Sequence, residues 1–148
     1  MEEIVHDVNY FLRERDCFLI STDPLHLDTE VVFGFLAQVK WWTELTRESL
    51  ERALRNSLCF SLTESGRQIG MARVITDYVT YAYLCDVFIE KERRGQGLGS
   101  WLVRCVLEHP DLNHLKRVAL ITHDAQTFYL GLDFRFSLHP NCYMERLQ

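Results

Sequence analysis

Arg93-Arg94-Gly95-Gln96-Gly97-Leu98-Gly99-Ser100-Trp101 joins an apolar run, 81–89, to a segment in which Leu98, Trp101, Leu102, Cys105 and Val106 recur at helical spacing. That order reads strand, glycine loop, helix. Three glycines on alternate positions let the backbone turn tightly and approach a ligand with no Cβ in the way. The first N–H groups of the helix lack intrahelical acceptors and point back into the loop. With the positive end of the helix dipole behind them, they form an anion site suited to phosphate. Arg93 and Arg94 are expected to add positive charge at its rim. Two phosphate motifs are excluded by spacing. A P-loop places four residues between its first glycine and Gly-Lys-Ser/Thr, and G-x-G-x-x-G puts its third glycine three places after the second, whereas here it comes two places after.

The 148 residues suffice for one domain, 1–148, that buries a core unaided. A formal charge of −5 argues against a nucleic-acid partner and favours a cationic substrate. No apolar run is long enough for a membrane span, so no membrane partner is expected. The acidic start, 1–7, shows no basic leader region. The five cysteines (Cys17, Cys59, Cys85, Cys105, Cys142) are odd in number and form no C-x-x-C, and they read as small buried hydrophobes in a reducing cytoplasm. His109 and His114 flank Pro110 and cannot share a helix face, so no metal is expected.

Outward from the loop, residues 1–15 show no decisive period and are left as an extension, a strand or a helix. Cys17-Phe18-Leu19-Ile20-Ser21 predicts a first strand, stopped by Thr22-Asp23-Pro24. Asp28 predicts a helix cap before Val31, Val32, Phe35 and Leu36, and Thr46 caps a second helix carrying Leu50, Ala53 and Leu54. The runs 57–63 and 68–76 flank Glu64-Ser65-Gly66-Arg67 as a β-hairpin, and the run 81–89 extends the meander. The glycine-loop helix ends near His109-Pro110. Val118-Ala119-Leu120-Ile121-Thr122 predicts a strand parallel to the one ending at Ile89. A short helix with Phe128, Tyr129 and Leu132 follows, and Phe134-Arg135-Phe136-Ser137 and Tyr143-Met144-Glu145 are two last strand candidates. The expectation is an α/β (α+β) domain with a mixed, mostly antiparallel sheet, a central β-α-β crossover and flanking helices.

Arg94-Gly95-Gln96-Gly97-Leu98-Gly99 resembles the acyl-CoA pyrophosphate loop of the GNAT superfamily of N-acyltransferases, Arg/Gln-x-x-Gly-x-Gly/Ala. Residues 124–134, with Asp124-Ala125, Tyr129 and Phe134, are similar to the family's C-terminal motif, and the element order resembles the GNAT fold along nearly the whole chain. Two departures stand out: Asp133 replaces the usual Gly before Phe134, so a left-handed aspartate is expected there, and Lys91 stands where the family often has Pro.

The resemblance implies acetyl-CoA as donor, no metal, and a small-molecule or peptide amine as acceptor; the alternative is a non-catalytic CoA-binding sensor or regulatory module. It also implies that coenzyme A is held by Val87, Phe88, Ile89, Arg94, Gly95, Gln96, Gly97, Leu98, Gly99, Ser100 and Asp124. Tyr129 matches the family tyrosine near the CoA sulfur; a phenol is protonated at neutral pH and is the candidate general acid. Asp86, a lone carboxylate in an apolar strand, is the candidate base or ammonium anchor, with a buried structural aspartate as the other reading. His123 is a second candidate base. Trp41, Trp42, Tyr78 and Tyr81 are candidate walls of the acceptor pocket. An exposed edge strand leaves a homodimer open.

Overall fold

The computed structural model describes residues 9–40 and 42–148; the reading of residues 1–8 and the pocket role of Trp41 lie outside the described residues. One six-stranded sheet runs in chain order, β1 (Leu12–Arg15), β2 (Phe18–Ser21), β3 (Leu58–Glu64), β4 (Arg67–Thr76), β5 (Ala82–Ile89) and β6 (Val118–Ala119). The first five are antiparallel to their neighbours, and β6 lies parallel to β5. Helices α1 (Thr29–Leu36) and α2 (Arg47–Arg55) connect β2 to β3, α3 (Leu98–Glu108) is the crossover from β5 to β6, and α4 (Gln126–Leu130) follows β6.

Local chemistry sets these boundaries. The Asp28 carboxylate accepts from the N–H groups of Glu30 and Val31, and Thr46 and Ser49 cap each other's backbone, so α1 and α2 start where their caps are. Ser65 and Gly66 turn the β3–β4 hairpin with φ of 48° and 84°. Two successive left-handed residues match the strand twist of a two-residue hairpin.

Helices cover the sheet on both faces. Leu98, Trp101, Leu102, Cys105 and Val106 of α3 are all buried, as their spacing predicts, and pack on Phe60, Leu62, Ala72 and Val74. On the other face Val32, Leu36, Leu50 and Leu54 from α1 and α2 close over Met71 and Phe88. Each fully buried leucine or valine here contributes about 1.5–3 kcal/mol of transfer free energy.

The structure corrects several expectations. Leu12–Arg15, left open by the sequence, is the edge strand β1, paired to β2 across a turn with Asp16 at φ 52°. Phe134–Ser137 and Tyr143–Glu145 are not strands. Their strand-like composition finds no ladder because β6 is two residues long, and Pro140–Cys142 breaks the segment with a 3-10 turn. The strand expected over 118–122 stops at Ala119 for the same reason that opens the site below: it diverges from β5. Among the cysteines, Cys105 is buried but Cys17 and Cys142 are exposed, and all five are free thiols.

His109, just past α3, is wedged between the rings of Phe11 and Phe60. Its Nδ1 accepts from the N–H of Asp111 at 3.1 Å, which commits that nitrogen to the unprotonated form. Burial holds its pKa below the usual value, with Asp111 opposing. The unfolded chain therefore binds the proton first, and stability falls as pH drops below about 6.5. Urea midpoints of a His109→Gln variant should lose that part of the slope; an unchanged slope would contradict the assignment.

Candidate active site

The site starts where the sheet comes apart. Strand β5 meets β6 at Ala82↔Val118 and Tyr83↔Ala119 and not beyond, so among the described residues the β6-facing edge of Leu84–Ile89 has no ladder partner. On its other edge β5 carries a bulge: the register passes from Arg73↔Cys85 to Met71↔Phe88, leaving Asp86 and Val87 together opposite Ala72. Asp86 sits at φ 49°, a left-handed conformation that aspartate tolerates better than most residues. A bulge bends the strand and re-aims its backbone groups, here at the mouth of the opening.

The Asp86 side chain is clasped from two directions. Its Oδ2 accepts from Arg73 Nε at 2.7 Å, and its Oδ1 accepts from Trp42 Nε1 at 3.1 Å. Arg73 also donates to Ser57 Oγ at 3.1 Å and lies 5.7 Å from the centre of the Trp42 ring. The Asp86 carboxylate is 2% exposed and Arg73 10%. A bare charge at such a site would be costly, and the pairing offsets part of that cost. Cys59 and Cys85 flank Arg73 on the neighbouring strands. Burial pushes their thiols up to about 12 and about 11, so neither is a ready nucleophile.

At the end of β5, the N–H groups of Gly95, Gln96, Gly97, Leu98, Gly99 and Ser100 have no protein acceptor among the described residues. Gly95 and Gly97 hold φ of 82° and 80°, and a Cβ at either would meet no protein atom within 4 Å. It is the backbone conformation, not crowding by the protein, that calls for glycine there. The loop therefore presents free donors and open space at the N-terminus of α3, as an anionic diphosphate requires. Arg94 donates through Nε to the Ile89 carbonyl at 2.9 Å, fastening loop to strand. Arg93 shares its charge with a carboxylate, its Nε donating to Glu64 at 2.6 Å.

Strand end, loop and α4 converge at Gly99, whose Cβ position lies 3.6 Å from Phe128 and 3.8 Å from Ile89. Tyr129, the next residue of α4, is held edge-on between Phe128 and Phe134, at 4.9 and 5.5 Å between ring centres. Burial raises its pKa, so the phenol keeps its proton. Asp133 takes the expected left-handed conformation, φ 66°, and Phe134 N donates to the Tyr129 carbonyl. Asp124 and His123 are exposed just before α4. Gln126 Nε2 donates to the carbonyls of Thr122 and His123 and so fixes that approach. Val87 belongs to the α3-side core, while Phe88 turns the other way and stacks on Phe35 at 3.9 Å, which leaves its backbone as what can serve the cleft. Tyr78 and Tyr81 lie exposed just before β5, at the end of the strand that pairs with β6.

Arg73 is the partner of Asp86 that sequence reading missed. Its signal was there: one arginine inside an apolar strand, facing one aspartate inside the next.

Gly70 explains how β5 keeps its place. A Cβ there would stand 2.7 Å from the Phe88 carbonyl oxygen and 2.9 Å from Ile89 Cδ1. Gly70→Ala should therefore push the end of β5 outward and lower the urea unfolding midpoint; a wild-type midpoint would contradict this.

Residues 15–134 match the model of the acetyltransferase (GNAT) family. A Gibberella zeae protein named as an acetyltransferase is 35% identical over 146 residues, 82% of each chain. A Xanthomonas campestris structure assigned to the same family superposes with a TM-score of 0.84 at 40% identity, covering 88% of this chain and 93% of that one. A Clostridium acetobutylicum acetyltransferase structure containing acetyl-CoA shares the fold at a TM-score of 0.64 and 13% identity, covering 94% and 95%.

Proposed function

The chain belongs to the GNAT acetyltransferase family, and from that premise we propose that it moves the acetyl group of acetyl-CoA to a primary amine by direct attack in a ternary complex. The observation that carries the reading is the run of six consecutive N–H groups, Gly95 to Ser100, without protein acceptors at the start of α3. Those donors suit the diphosphate of coenzyme A, and the unpaired edge of β5 suits its pantetheine amides, with Asp124 on the facing approach.

On this reading the amine nitrogen attacks the thioester carbonyl, a C–N bond forms, the C–S bond breaks, and the sulfur leaves as thiolate. Backbone N–H groups at the Val87–Ile89 edge would stabilise the charge that develops on the carbonyl oxygen. The Tyr129 hydroxyl would donate its proton to the thiolate. Asp86, enclosed by Arg73 and Trp42, would act by fixing the bulge rather than by taking the amine's proton directly. That proton would leave through water, with His123 as the exposed base within the same opening. Holding both reactants in register would supply much of the remaining acceleration. Five free thiols fit a reducing, cytoplasmic setting.

Incubated with acetyl-CoA and a panel of primary amines, the protein should release coenzyme A and acetylated amine in equal amounts. Coenzyme A binding without turnover of any amine would replace the enzyme reading by that of a sensor. Within the loop, Gly97→Ala should weaken coenzyme A binding and cost about 1–2 kcal/mol of stability from the left-handed backbone alone. Calorimetry and urea unfolding measure the two effects separately; wild-type values in both would contradict the loop's role.

A further inference from the structure

We infer that the acceptor is an arylalkylamine, a primary amine carried on a flat apolar body; this rests on reading the cleft as an N-acetyltransferase site. The inference comes from the part of the sheet that α1 and α2 leave uncovered. Those helices close over Met71 and Phe88. Next along the same face, across the bulge, stand Arg73 and Cys85, and two residues further on each strand Ile75 and Tyr83, paired across the strands. Ile75 is 46% exposed, and Tyr81, next along that face, 40%. An apolar surface of this kind, adjoining a catalytic opening, is the mark of a ligand-binding groove.

The surface is built to hold its shape. Asp77 accepts from the N–H groups of Val79 and Thr80 and from the Thr80 hydroxyl, and Thr76 Oγ1 donates to the Tyr81 carbonyl at 2.6 Å. Those hydrogen bonds hold the Asp77 carboxyl well below its usual range, Thr80 being the largest cause. The loop that presents Tyr81 is thus pinned in advance. Tyr83 and Tyr81, two apart on β5 and its approach, fall on one face of the strand, which places two phenol rings on the side of the bulge where Ile75 stands.

The charges decide the class of acceptor. Arg73 is committed to Asp86 and Ser57 and is buried, so it offers no free fork to a carboxylate or phosphate. An acceptor with an anionic body would give up its water there and gain no partner. An aromatic body gains contact with Tyr81, Tyr83 and Ile75, and its ammonium passes over phenol faces that attract cations.

The test compares kcat/KM for phenethylamine with that for glutamate, glucosamine 6-phosphate, spermidine and a tetrapeptide with a free amino end, at saturating acetyl-CoA. Phenethylamine should lead by about tenfold or more, the scale on which apolar pockets discriminate. Ile75→Asp should raise its KM by a similar factor while the Kd for acetyl-CoA and the unfolding midpoint stay at wild-type values, since Ile75 is half exposed. Acetyl-CoA binding with equal or faster turnover of a charged acceptor or of the peptide overturns the acceptor assignment alone, as does an unmoved KM in Ile75→Asp. No binding of acetyl-CoA by calorimetry overturns it together with the reading beneath it.

Discussion

Tyr129→Phe is expected to lower kcat about 100-fold, the lower end of what a positioned acid supplies, with the Kd for coenzyme A unchanged. The ring is gripped edge-on by Phe128 and Phe134 and stays packed when the hydroxyl is removed, so the loss would report chemistry rather than folding. The sign of the pH dependence follows from burial. Because burial raises the Tyr129 pKa, the proton-donating form persists through neutral pH and is lost only above about 10. The alkaline fall in kcat should therefore disappear in the phenylalanine variant. A variant that turns over at the wild-type rate would remove Tyr129 from the mechanism.

The second large effect is structural. Arg73→Met should destabilise the fold by about 3–5 kcal/mol, because it strands the Asp86 carboxylate, 2% exposed, without its ion-pair partner. Arg73→Met combined with Asp86→Asn should recover most of that loss. Asparagine carries no charge to strand, tolerates the left-handed bulge conformation at φ 49°, and its carbonyl still accepts from Trp42. Urea unfolding of the three variants decides the matter. Equal losses in the single and double variants would mean that packing around Arg73, not the buried charge, is what matters. The same comparison made by turnover asks whether the bulge keeps its catalytic shape without the ion pair.

What the sequence made legible was local. Asp28 and Thr46 announce their helices because caps act within a single turn, and Ser65-Gly66 announces its hairpin because left-handed geometry is carried by those two residues. The glycine loop was legible for the same reason: Gly95 and Gly97 adopt the left-handed backbone that few other residues accept. What escaped reading depended on a partner distant in the chain. Leu12–Arg15 has four exposed residues and little apolar alternation, and becomes a strand through its ladder with β2. Phe134–Ser137 has the composition of a strand and finds no ladder. Arg93 reads from the sequence as rim charge for the loop, and its Nε is bound to Glu64, 29 residues away. The clasp on Asp86 brings together residues separated by 13 and 44 positions, which no local period encodes. It holds the Asp86 carboxylate buried and paired at the bulge.

Amide NMR during a coenzyme A titration tests the grip of the glycine loop on the diphosphate most directly. Gly95 to Ser100 should shift strongly, as free N–H groups acquire a charged acceptor, with smaller changes along Val87–Ile89. Tight binding of coenzyme A that leaves those six resonances in place would contradict it.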